Sequence, residues 1–141
     1  MRVLRWLEGL SAALASLVGL AALVSLLFTP SYAGEICQAS DPGGPASCTT
    51  HTATLLEVNG LDALLPLAIF ALLPLGIGIS GVWHSRTDAP GARATLWVVT
   101  ASLTAFSLLA ILSIGSLFLP SVALALTACV ISLGHRRPVL A

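Results

Sequence analysis

From Ala94 to Gly134 the chain contains no Asp, Glu, Lys or Arg. As a single helix this stretch would reach roughly 60 Å, about twice the hydrocarbon thickness of a bilayer, so it has to fold back on itself. The break falls in Ser113-Ile-Gly-Ser-Leu-Phe-Leu-Pro120, where Gly115 relaxes the backbone and Pro120 suits the first turn of a new helix. Two further charge-free blocks, Leu10 to Phe28 and Ala63 to Trp83, each have the length of one crossing. Overall, 57% of residues are apolar and 9% charged, against roughly 45–50% and 25% in soluble domains. The expected fold is an all-α integral membrane protein. Residues 1–141 form a single transmembrane domain, a four-helix transmembrane bundle with spans at about 6–28, 62–84, 94–115 and 118–134, and an outer loop at 29–61.

Charge sets the orientation. Arg2 and Arg5, Arg86 and Arg93, and Arg136 and Arg137 all fall on one side of a four-span plan, whereas Thr29 to Gly60 holds Glu35, Asp41 and Glu57 and no Lys or Arg. The positive-inside rule places both termini in the cytoplasm, and loop 29–61 outside, of a plasma (inner) membrane. Ser31-Tyr-Ala33 before Gly34 has the form of a signal cleavage site, but the apolar block ahead of it exceeds the usual 7–15 residues of a signal. The first span is therefore expected to be retained. Net charge is zero and the arginines are divided among three patches, which excludes a nucleic-acid binder and fits contact with anionic headgroups.

In the outer loop, Cys37-Gln-Ala-Ser-Asp-Pro-Gly-Gly-Pro-Ala-Ser-Cys48 sets turn residues between two cysteines. It reads as a hairpin or Ω-like loop stapled by a Cys37–Cys48 disulfide, since an oxidising exterior favours the bridge. The threonine-rich run after Cys48 reads as a short strand, and Asn59-Gly60 as the turn into the second span. Cys129 lies in the fourth span as a small packing residue.

Gly76-Ile-Gly-Ile-Ser-Gly81 matches the letters of a dinucleotide loop, but an apolar helix precedes it and Ala101 stands where an acidic residue belongs. These glycines read as packing residues. Small residues spaced by four allow close helix approach in lipid, and they recur as Gly76 with Ser80, as Ser11, Ala15 and Gly19, and as Ala125 with Cys129. Pro74, at mid-span, predicts a kink between Phe70 and Pro74. Thr100, Thr104 and Ser107 share one helical face, either as hydroxyls bonded to backbone carbonyls or as a polar path for a solute.

No ionisable side chain falls near the middle of a span. Glu8 is placed near the inner surface beside Arg5, and Asp62 at the outer start of the second span. His84 and His135 read as interfacial residues beside an aromatic belt of Trp6, Trp83 and Trp97. Neither a metal nor another cofactor is expected.

LLEVNG before the second span and SIGSLFLPSVALAL across the third and fourth resemble small bacterial four-span membrane proteins. That resemblance implies the architecture and adds no activity. The outer-loop cysteine pair is also similar in plan to that of claudins, without their Gly-Leu-Trp signature. Four-span disulfide oxidases carry a second redox pair, commonly C-x-x-C, which has no counterpart here. The expected function is a non-enzymatic accessory or scaffold subunit that meets a protein partner, or a second copy of itself, through the outer loop and small-residue faces. The alternatives are a small-molecule pore or transporter subunit, and a thiol–disulfide membrane redox protein.

Overall fold

The structure is a computed structural model and describes residues 2–39, 46–110 and 115–134, with the backbone alone described at 31, 32, 36–39, 46 and 47. The turn residues Asp41 to Pro45, Ser113, His135, Arg136 and Arg137 lie outside the described residues. In chain order come α1 (Arg2–Phe28), β1 (Pro30–Ala39), β2 (Ala46–Thr54), α2 (Leu55–Asn59), a 3₁₀ turn (Gly60–Ala63), α3 (Leu64–Thr87), α4 (Pro90–Leu109), a second 3₁₀ turn (Gly115–Phe118) and α5 (Leu119–Leu133). Four helical segments, Arg2–Phe28, Leu55–Thr87, Pro90–Leu109 and Gly115–Leu133, are long and apolar enough to cross a membrane. The chain divides into two compact units, one of residues 1–22 with 68–141 and one of residues 23–67.

In the first unit, α1, α3, α4 and α5 pack as a four-membered ring. Helix α1 meets α3 antiparallel, with Gly9 against Ser85, Ala12 against Gly81, Ser16 against Gly78 and Gly19 against Pro74. The steps alternate between three and four residues, as neighbouring turns of one helical face require. Helix α3 meets α4 through Gly76 against Val99 and through the Phe70 and Phe106 rings, whose centroids are 4.4 Å apart. Helix α4 meets α5 through Thr100 and Cys129, and α5 returns to α1 where the Ser121 hydroxyl donates to the Ala15 carbonyl at 2.7 Å. Ile77, Leu96, Leu103, Phe118 and Ala125 fill the interior. Outside it, Leu17, Ile69, Leu72, Ile79, Val98, Leu109 and Val130 are exposed, an apolar coat that water would penalise and lipid accepts.

Helix α3 continues through Pro74 as one element, and the ring sits opposite Gly19, where a methyl would lie 2.7 Å from the Pro74 Cβ. Helix α4 stops at Leu109, short of the expected 115. The Gly115 N–H donates to the Ala110 carbonyl at 2.7 Å, and the Ser107 hydroxyl donates to the Gly115 carbonyl at 2.7 Å. Gly115 is thereby clasped against the end of α4, where a Cβ would come within 2.1 Å of the Ser107 carbonyl oxygen.

In the second unit β1 and β2 form an antiparallel two-stranded sheet, so the all-α expectation holds for the spans and not for the outer loop. Pro30 opens it, a position where its missing N–H is tolerated, and a register irregularity follows between Pro30 and Tyr32. The second strand ends at Thr54, which caps α2: its hydroxyl accepts from the Glu57 N–H at 3.2 Å and its N–H donates to the Glu57 carboxylate at 2.7 Å. Gly60 then takes φ 58° and ψ −146°, a conformation essentially confined to glycine.

Candidate functional site

Among the described residues, the first unit has its charged side chains at the end formed by the start of α1, the end of α3 and the start of α4. At its centre Glu8 and His84 meet, with the His84 Nδ1 2.6 Å from a Glu8 carboxylate oxygen. Their side chains are 1% and 5% exposed respectively. Both residues lie near the ends of their helices, as expected, but their side chains turn into the bundle toward each other, so His84 is a buried partner and not an exposed anchor. The helical geometry explains both. Glu8 shares an α1 face with Ala12 and Ala15, and His84 an α3 face with Ser80 and Ile77, and these faces are buried.

The Glu8 carboxyl and the His84 ring share this one short hydrogen bond, with the donor set by the tautomer of the imidazole. Ser80 lies one turn away, buried, its hydroxyl donating to the Gly76 carbonyl at 2.5 Å. The fully buried Cys129 contacts the Thr100 hydroxyl at 3.5 Å, and the Ser132 hydroxyl donates to the Cys129 carbonyl at 2.6 Å. Among the described residues no three His, Cys, Asp or Glu side chains gather as a metal-ligand set.

Just beyond the buried pair, Arg5 forms a half-exposed ion pair with Asp88. Asp88 stands at φ 54° in the link from α3 to α4, with its N–H on the His84 carbonyl at 2.9 Å. Aspartate is among the few residues that accept the left-handed region. The Arg5–Asp88 and Glu8–His84 pairs thus follow one another along the seam between α1 and α3.

The small residues Ser11, Ala15, Gly19, Ser80, Ala125 and Cys129 are all buried, and Gly76 faces Val99, where a methyl would sit 3.3 Å away, slightly tighter than ordinary contact. Among the glycines of α3 the closest approach belongs to Gly81 and then Gly78, which spacing by four from Gly76 passes over. Thr100 and Ser107 are buried and Thr104 half-buried on α4. The Thr104 hydroxyl donates to the Thr100 carbonyl at 2.8 Å, Ser107 closes the Gly115 turn, and Thr100 faces Cys129. These hydroxyls are engaged with the protein's own groups.

Ser121 is the polar bond that ties α5 to α1, and Ser121→Ala is expected to lower stability modestly. Interhelical hydrogen bonds in membrane bundles average about 0.6 kcal/mol. Reversible unfolding in detergent micelles checks this, and a loss beyond about 2 kcal/mol would show that the bond does more than join two helices.

In the second unit, Cys37 and Cys48 are directly opposite across the β1–β2 ladder. The Cys37 side chain lies outside the described residues, so register alone bears on the expected bridge. Gly34, Glu35, Thr49, Thr50, His51 and Thr52 are exposed on both faces of the ribbon.

Comparison with protein-family models, with curated proteins and with solved structures gives no match.

Proposed function

We propose that this chain is a non-enzymatic accessory or scaffold subunit of the plasma (inner) membrane, with both termini cytoplasmic and the β1–β2 hairpin outside, where it docks a protein partner. The observation that supports this reading is the hairpin itself. A two-stranded ribbon is marginally stable alone, and the side chains at 33–35 and 48–52 of this one are exposed on both faces. Among the described residues the sheet has two strands, so each has one edge on which no further strand lies, and such edges accept one. The bundle, by contrast, turns its polar groups onto one another.

A disulfide between Cys37 and Cys48 belongs to the same reading. Facing residues of an antiparallel pair have the Cα separation that a bridge needs, and a staple would hold the ribbon ready for docking. Maleimide labelling of the denatured protein is expected to modify Cys129 alone before reduction and all three cysteines after it. Labelling of all three without reductant would remove the staple.

Docking is tested by photo-crosslinking from Glu35 and Thr50 in intact cells, with lipid-facing Ile79 as control. The expected result is one discrete protein adduct from the hairpin positions and none from position 79. An adduct of twice the chain's mass would identify the partner as a second copy. Absence of any adduct from either strand would overturn the docking reading.

A further inference from the structure

A groove of about 430 Å³ opens at the charged end of the α1–α3 seam, lined by Arg2, Arg5, Trp6, Gly9 and Leu10 of α1 and by Val82, Ser85 and Arg86 of α3. Its charged lining residues are all arginines. The two helices approach closely at its floor, where a methyl on Gly9 would lie 2.8 Å from the Ser85 hydroxyl. Trp6, Leu10 and Val82 give the remainder an apolar wall.

We propose that this groove binds the headgroup of an anionic phospholipid, its phosphate held by Arg2, Arg5 and Arg86 and its first acyl carbons lying against Trp6, Leu10 and Val82. Planar guanidinium groups match the paired oxygens of a phosphodiester. Asp88 fixes one edge of Arg5, and a guanidinium with five N–H donors keeps others for a ligand. The depth fits a lipid rather than a soluble anion. Trp6 and Trp83 are 74% and 57% exposed at this end of the helices, as residues at the headgroup level are. Basic clefts between helices at the cytoplasmic surface suit such headgroups. The inference rests on the membrane-spanning reading.

The test uses the full chain, extracted in mild detergent, stripped of lipid and titrated with phosphatidylglycerol while bound lipid is counted by native mass spectrometry. Wild type is expected to bind phosphatidylglycerol and to leave phosphatidylcholine largely unbound. The Arg2→Gln/Arg86→Gln variant should bind phosphatidylglycerol roughly thirtyfold more weakly, from the attraction of two basic side chains near a membrane surface. Arg93→Gln, outside the groove, should bind as wild type does. The charge-retaining Arg2→Lys/Arg86→Lys variant should fall between wild type and the glutamine variant, and a lysine variant as weak as the glutamine one would count against the assignment.

Unchanged binding in the glutamine variant, or equal binding of phosphatidylcholine, would overturn the proposal. Full displacement of the lipid by excess inorganic phosphate would replace the lipid with a free phosphate and also overturn it. Failure of the membrane reading looks different, because alkaline carbonate would then release the chain from membranes whatever lipid it binds.

Discussion

Replacing His84 with leucine is expected to destabilise the bundle by about 3–5 kcal/mol, the range for removing one partner of a buried pair. The Glu8 carboxyl would remain buried with its short bond to Nδ1 gone. Glu8→Leu should cost a similar amount by stranding the imidazole. The double variant Glu8→Leu/His84→Leu is expected to recover much of the loss, because two apolar side chains in place of a buried pair are often neutral or better. A double-mutant cycle measured by reversible unfolding in micelles checks this, and losses that simply add would show that the two residues do not act together. If the pair also serves transport or signalling, the double variant is the one to assay, since it separates loss of chemistry from loss of fold.

This pair is where sequence reasoning stopped short. The spans were legible because charge-free length is a property of each segment alone: α1, α3, α4 and α5 lie close to the expected stretches. Which residues face one another depends on the register between α1 and α3, which no single segment encodes. Glu8, set among apolar residues, was the available signal, since a carboxylate inside an otherwise apolar helix needs a partner and His84 ends the helix that returns to the same side. The hairpin was legible from its turn residues and cysteines. Helix α2 was passed over although Thr54-Leu-Leu-Glu57 carries the spacing of a capping box, because the preceding threonines argued for strand. At α4 the uncharged run gave no sign of an early stop, since the Ser107 clasp on Gly115 is a contact between a helix and the turn that follows it.

The second large effect comes from the glycines of α3, and its order along the helix tests the packing directly. A methyl at Gly81 would lie 2.2 Å from the Ala12 Cβ, one at Gly78 2.8 Å from the Ser16 Cβ, and one at Gly76 3.3 Å from Val99, while Gly91 of α4 has open space around it. Alanine is the better helix former by about 0.8–1.0 kcal/mol, so each substitution sets a propensity gain against a steric loss. Gly91→Ala should therefore be neutral or stabilising and Gly76→Ala close to neutral. Gly81→Ala should lose about 1–3 kcal/mol, as overpacked cores do, with Gly78→Ala between. Ala12→Gly should rescue Gly81→Ala, because it removes the carbon that the new methyl meets. Thermal unfolding of the five variants in one detergent decides the matter. Rescue by Ala12→Gly would establish direct contact between α1 and α3 at this level, and with it the register that sets Glu8 against His84. A Gly81→Ala protein as stable as wild type would mean that the two helices stand further apart, and the buried pair would then have to be sought in a different register.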